Sequence, residues 1–117
     1  MKTRIVEYND YNNSVYNVQF KWMGLIWTKV GIFEVEKIKH PKKSLYRLIP
    51  YSEKFVTTDH EEALNVEEWI KCFPGNLVAK DDEGQLVYIC IDSDDNKGIV
   101  YRGFNDIKKA KQHFHIL

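Results

Sequence analysis

Residues 15–22 alternate without a break, with Tyr16, Val18, Phe20 and Trp22 on one face and Asn17, Gln19 and Lys21 on the other. A period of two marks a half-buried strand. Met23 and Gly24 follow. Glycine supplies the backbone angles a tight reversal demands, so the pattern predicts a two-residue hairpin loop there. With that loop Trp22 faces Leu25, Phe20 faces Trp27, Val18 faces Lys29, and Tyr16 covers Gly31. The rings then share one face, and the returning strand runs on through Phe33 and Val35. Ile26, Val30 and Ile32 are left on the opposite face, directed outward.

The same reading extends along the chain. Residues 2–8 form a strand before the Asn/Asp-rich turn at 9–13. Residues 45–49 form a short strand that Pro50 ends. A helix is predicted from about residue 59 to 73, opened by Thr58 and Glu61 as a capping box and buried along Ala63, Val66, Ile70 and Phe73. Pro74-Gly75-Asn76 stops it. Strands over 77–80, 85–92 and 99–104 then alternate with turns at 81–84 and 93–98. Leu86, Tyr88 and Cys90 on one side and Val87, Ile89 and Ile91 on the other make the middle strand apolar on both faces. Such a strand belongs at the centre, covered twice. A last helix, capped by Asn105 or Asp106, carries Ile107, Ala110 and Phe114 on its stripe. The class is α+β: an antiparallel β-sheet of hairpins and a meander with two α-helices, in the order ββ(β)α-ββ(β)α. With 117 residues, 44% of them hydrophobic, the expectation is a single α+β domain over 1–117.

The cysteines change little. Cys72 and Cys90 form no CxxC and lie in apolar stretches, which reads as two small buried side chains. No signal-type leader follows Met1, and no apolar run approaches the ~18 residues of a membrane span. The expected compartment is cytoplasmic, with no membrane as partner.

Charge adds more. Seventeen Lys/Arg balance seventeen Asp/Glu, which argues against a strongly basic nucleic-acid binder and against a polyacidic mimic. The sum hides a division: residues 1–58 carry ten cations and five anions, residues 59–117 seven and twelve. Either the halves neutralise each other on packing or the surface is bipolar and steers a partner.

Motifs for chemistry are missing or broken. His60-Glu61-Glu62-Ala63-Leu64 opens like HExxH but has leucine at the second ligand position, and His113 and His115 point apart on a helix. Asp92, Asp94 and Asn96 have calcium-loop spacing without the glycine and bidentate glutamate that complete it. No phosphate-loop, dinucleotide or nucleophile-elbow pattern occurs. The expectation is no metal, no cofactor and no catalytic residue, in a protein that is not an enzyme.

Two surfaces stand out. Lys37, Lys39, Lys42, Lys43 and Arg47 put five cations within eleven residues, with His40 among them and Tyr46 and Tyr51 nearby. Cations on phosphates and rings on bases would clamp a single strand of nucleic acid. The same lysines also serve to keep a sheet edge from aggregating. The second surface is aromatic and aliphatic. Tyr8, Tyr11 and Tyr51 fit no core stripe, and exposed tyrosines anchor protein interfaces. Joined to Ile26, Val30 and Ile32 they make a predicted contact patch for another protein, or for a second copy as a homodimer.

Residues 16–27 together with Phe55-Val56-Thr57-Thr58-Asp59-His60-Glu61-Glu62-Ala63 carry a resemblance. An aromatic hairpin containing Val-Gln, followed by an F-x-T helix start, resembles small accessory proteins of bacteriophages and mobile elements. The resemblance spans about a third of the chain and brings no site residues. It implies a small non-enzymatic protein that binds and inhibits a host or defence component. Docking on a protein is thus the leading reading, and a nucleic-acid module using the 37–47 loop is the alternative.

Overall fold

The computed structural model describes residues 2–21, 23–72, 75–96 and 98–115, and at 50–52, 94–95 and 114–115 it describes the backbone alone. Trp22, Phe73, Pro74 and the side chains of Tyr51, Asp94 and Phe114, all named above, lie outside the described residues. The element order is β1 (Lys2–Asp10), β2 (Asn13–Lys21), β3 (Trp27–Lys29), β4 (Gly31–Ile38), β5 (Leu45–Lys54), α1 (His60–Cys72), β6 (Leu77–Lys80), β7 (Leu86–Asp95), β8 (Gly98–Phe104) and α2 (Ile107–His115). The α+β class holds. The repeat order does not, because five strands precede α1 while three lie between α1 and α2.

The sheet is also divided. Strands β1-β2-β3 form one antiparallel sheet, and β4-β5-β8-β7-β6 close into a barrel. The predicted meander survives as the β6-β7-β8 segment. Closure comes from β4 pairing in parallel with β6, a contact across the whole β5–α1 connection. Non-local pairing of this kind leaves no local pattern.

Joining the two sheets is Val30. Its N–H donates to the Val18 carbonyl at 2.9 Å, and its own carbonyl accepts from Phe55 N–H at 2.8 Å. The long returning strand therefore breaks at this residue and changes sheets. Pro50 does not end β5 as expected. Phe33 faces Ser52 and Glu34 faces Ile49, so residues 50 and 51 are absorbed as a bulge, where proline's missing donor is harmless.

Two cores result. One fills the barrel with Val35, Tyr46, Ala79, Val87 and Ile89. The other lies between the helices, the first sheet and the barrel's outer wall, and includes Val18, Phe55, Val66, Trp69, Tyr88 and Cys90. Strand β7 divides them, Val87 and Ile89 inward and Tyr88 and Cys90 outward, as its double apolar pattern predicts. Ile91 departs from that pattern and is 54% exposed, next to a bulge between Ile91 and Ser93.

Helix α1 buries Ala63, Val66, Trp69 and Ile70. Its cap is Asp59 rather than Thr58: Asp59 Oδ1 accepts from Glu61 N–H at 3.0 Å and Glu62 N–H at 3.4 Å. Its far end is tied by Asn76 Nδ2 to the Trp69 carbonyl at 3.1 Å, while Trp69 Nε1 donates to the Leu77 carbonyl at 3.0 Å. Of the two candidate caps for α2, Asp106 holds the position, accepting from Lys108 N–H at 2.8 Å.

Candidate functional site

The hairpin carries the main correction. Strand β2 pairs with β3 as Gln19↔Lys29, Phe20↔Thr28 and Lys21↔Trp27. The connection is therefore the five residues 22–26, and the register differs by one from that of a two-residue loop. A one-residue slip turns every side chain of the second strand to the other face. Trp27 accordingly leaves the Phe20 face and joins Lys21. Phe20 stays with Ile5, Tyr16 and Val18 against the helices.

On the Trp27 face, cations surround the indole. The Arg4 guanidinium lies 4.1 Å from the ring centroid and the Lys21 ammonium 5.4 Å from it. Arg4 Nε donates to Gln19 Oε1 at 2.8 Å, which fixes the guanidinium plane. Lys2 and Lys29 are exposed in the same face, opposite Lys21 and Gln19 in register. Stacked cations of this kind contribute about 0.5–1 kcal/mol at exposed sites, enough to hold an orientation.

Beyond Trp27 the loop turns outward. Met23, Leu25 and Ile26 are 80%, 77% and 72% exposed. Met23 adopts φ 56°, a left-handed conformation unusual for a side chain of that size, and Gly24 follows at φ 72°. Of the predicted contact residues, Ile26 is thus exposed. Val30 and Ile32 are not, at 3% and 6%, and they belong to the core between barrel and helices. The register slip and the change of sheet at Val30 explain why the outward face predicted for them does not exist.

The tyrosines do not join Ile26. Tyr8 is 39% exposed near the end of β1, and Tyr11 is 92% exposed at the β1–β2 turn. That turn lies at the opposite end of β2 from the 22–26 loop, ~30 Å away at strand rise. The structure therefore separates one predicted patch into two ends of a ribbon. The sequence places Met23 in the loop without marking it as a contact residue, and puts Leu25 on the inward ring face; the longer loop exposes both.

The cations of the basic segment are exposed: Lys37, Lys39, Lys42, Lys43 and Arg47 all face solvent. His40 Nδ1 accepts from Lys42 N–H at 3.1 Å and Lys43 N–H at 2.9 Å, which shapes the loop. Lys43 pairs with Asp92 at 3.7 Å across the two charge halves. Arg47 stands opposite Glu36. Tyr46, assigned to stack on a base, is 6% exposed and sits inside the barrel.

Acidic side chains gather elsewhere. Two clefts of about 470 and 510 Å³ meet at Gly84, one edged by Glu34, Asp81 and Asp82 and the other by Asp59, Glu61 and Glu62. Asp59 caps α1, and Asp81 Oδ1 accepts from Glu83 and Gln85 N–H. Asp59 and Asp81 thus serve a helix end and a turn. Among the described residues no group of three or more His, Cys, Asp or Glu is placed to hold a metal, and no helix is long and apolar enough to cross a membrane.

Titration follows burial. Desolvation raises the Cys90 thiol to about 11 and the Tyr88 phenol to about 12, with Asp92 and Glu62 adding to each in turn. Burial, then Glu68, raises Cys72. Burial, then Arg102, lowers His113. Both thiols are free and protonated near neutrality, so neither is a ready nucleophile. Comparison with protein-family models, with curated proteins and with solved structures finds no match for this chain.

Proposed function

We propose that the protein works by docking onto another protein, and that the loop 23–26 is the element that inserts. The observation that carries this reading is the tip itself. Three large apolar side chains stand 72–80% exposed, and Met23 holds a conformation that costs free energy without packing against anything inside. Arg4, Lys21 and the Trp27 ring flank the tip, which suits a partner with an apolar pocket and an acidic rim. The resemblance to phage accessory proteins extends the reading to inhibition of a host or defence component. The nucleic-acid alternative loses support at the 37–47 loop because Tyr46 is unavailable for stacking.

A photo-crosslinking residue at Leu25, in cells of the native host, tests this. We expect one discrete covalent protein adduct, lost on Ile26→Asp, with stability changed by no more than ~0.5 kcal/mol because the position is exposed. An adduct with nucleic acid or lipid alone, or a protein adduct indifferent to Ile26→Asp, would overturn the proposal.

A further inference from the structure

Strand β1 has one edge without a partner. It pairs along its full length with β2, from Lys2↔Lys21 to Asp10↔Asn13, in an unbroken register. Among the described residues nothing pairs with its other side, and β1 ends the order of its sheet. Six of its nine residues are exposed. Free edges are ordinarily blunted by proline, a bulge, shortness or charged side chains. Only charge is present here, in Lys2, Arg4, Glu7 and Asp10; the segment Lys-Thr-Arg-Ile-Val-Glu-Tyr-Asn-Asp lacks proline, shows no register shift and exceeds the common strand length.

Its charges are sorted. Lys2 and Arg4 occupy one end, and Glu7 and Asp10 the other. A strand with that order is complementary to itself only when reversed. Parallel alignment would set Lys2 on Lys2 and Asp10 on Asp10, and like charges directly opposite are destabilising. Antiparallel alignment about Val6 instead sets Lys2 against Asp10 at both ends, with Arg4 across from Tyr8. An even register also keeps each face of the joined sheet on its own side, so Ile5 remains toward the helices in both copies.

We propose that β1 joins edge to edge with the β1 of a second copy, antiparallel and centred on Val6, giving a continuous six-stranded sheet. This edge adjoins the 23–26 tip only at its Lys2–Arg4 end, and the two assignments are read by different measurements, self-association here and the crosslinked adduct at the tip, so either can fail alone. Main-chain bonds supply the attraction, and the charge order selects the partner and direction.

Sedimentation equilibrium from micromolar to millimolar protein at low salt tests the proposal. The intact chain should dimerise. Lys2→Asp and Asp10→Lys should each weaken association roughly tenfold, since both end pairs become repulsive at once. An equimolar mixture of the two variants should regain dimerisation, because opposite charges then meet at both ends. On the unaltered chain, amide exchange in β1 should slow with rising concentration while exchange in residues 23–26 does not. A monomer throughout the range, a mixture no better than its components, or concentration-independent exchange in β1 would each defeat the inference.

Discussion

Strands β7 and β1 are ten and nine residues long and have opposite surroundings. Strand β7 is paired on both edges, with β6 and with β8, and buried on both faces from Val87 to Cys90. Strand β1 is paired on one edge and mostly exposed. The contrast extends to the sheets that hold them. The barrel has no edge and encloses side chains that are at most 6% exposed. The three-stranded sheet ends in an open strand, a cation-flanked indole and an apolar loop. One region hides its apolar groups and the other presents groups that a folded chain ordinarily hides, and the docking proposal rests on that difference.

The sharpest way to break the barrel is at Gly103. A methyl group added there would overlap the Tyr46 ring and Val87 Cγ1, both in the barrel core. Overpacking costs about 1–3 kcal/mol, so Gly103→Ala should lower the unfolding free energy by that amount, read as a lower urea midpoint at unchanged slope. The tip should be untouched. An unchanged midpoint would show that the ring can withdraw.

Alkali should act on the same side of the comparison. Cys90 ionises near 11 in the fold, Tyr88 near 12, and their ordinary values are 9.0 and 10.0. A raised folded pKa means that the unfolded chain releases its proton first. The contribution is complete below about 9 and declines from there to about 11 for Cys90, and from about 10 to about 12 for Tyr88. The urea midpoint should therefore fall across this range, and Cys90→Ala should flatten the first part of the fall. A midpoint independent of pH up to about 11 contradicts the assignment.

Tyr11 offers the smallest effect and the opposite sign. It sits at φ 48° and Asn12 at φ 70°, the angles of a type I′ turn. Asparagine tolerates that region better than tyrosine, so Tyr11→Asn should raise stability by up to ~1 kcal/mol in thermal or urea unfolding. A loss of stability would mean that the ring has a packing role despite its 92% exposure.

Legibility in the sequence followed the range of the forces involved. The β6-β7-β8 order, the 81–84 turn and Ala63, Val66 and Ile70 of the α1 stripe rest on neighbours a few residues apart and are readable, whereas the turn expected over 93–98 is shorter, with β7 running to Asp95 and β8 starting at Gly98. The Asp59 cap fell one residue from its expected place because Thr57 Oγ1 takes the Asp59 N–H at 3.0 Å. The candidate site was less legible. Alternation puts Ile26 outward and Met23 in the loop, but it puts Leu25 on the ring face, because it implies a two-residue loop where five residues intervene.

The chain's own order of side chains determined which stretches become strands and helices, where most turns fall, and that β7 is buried twice. Tertiary structure decided the rest: closure of the barrel through β4 and β6, the change of sheet at Val30, and the face on which Trp27 stands. Alternation reports that a strand has two faces, and a shift of one residue exchanges them at no cost to the pattern. Which face meets the core depends on packing against segments distant in sequence, and that choice made Val30 and Ile32 interior and left the tip exposed.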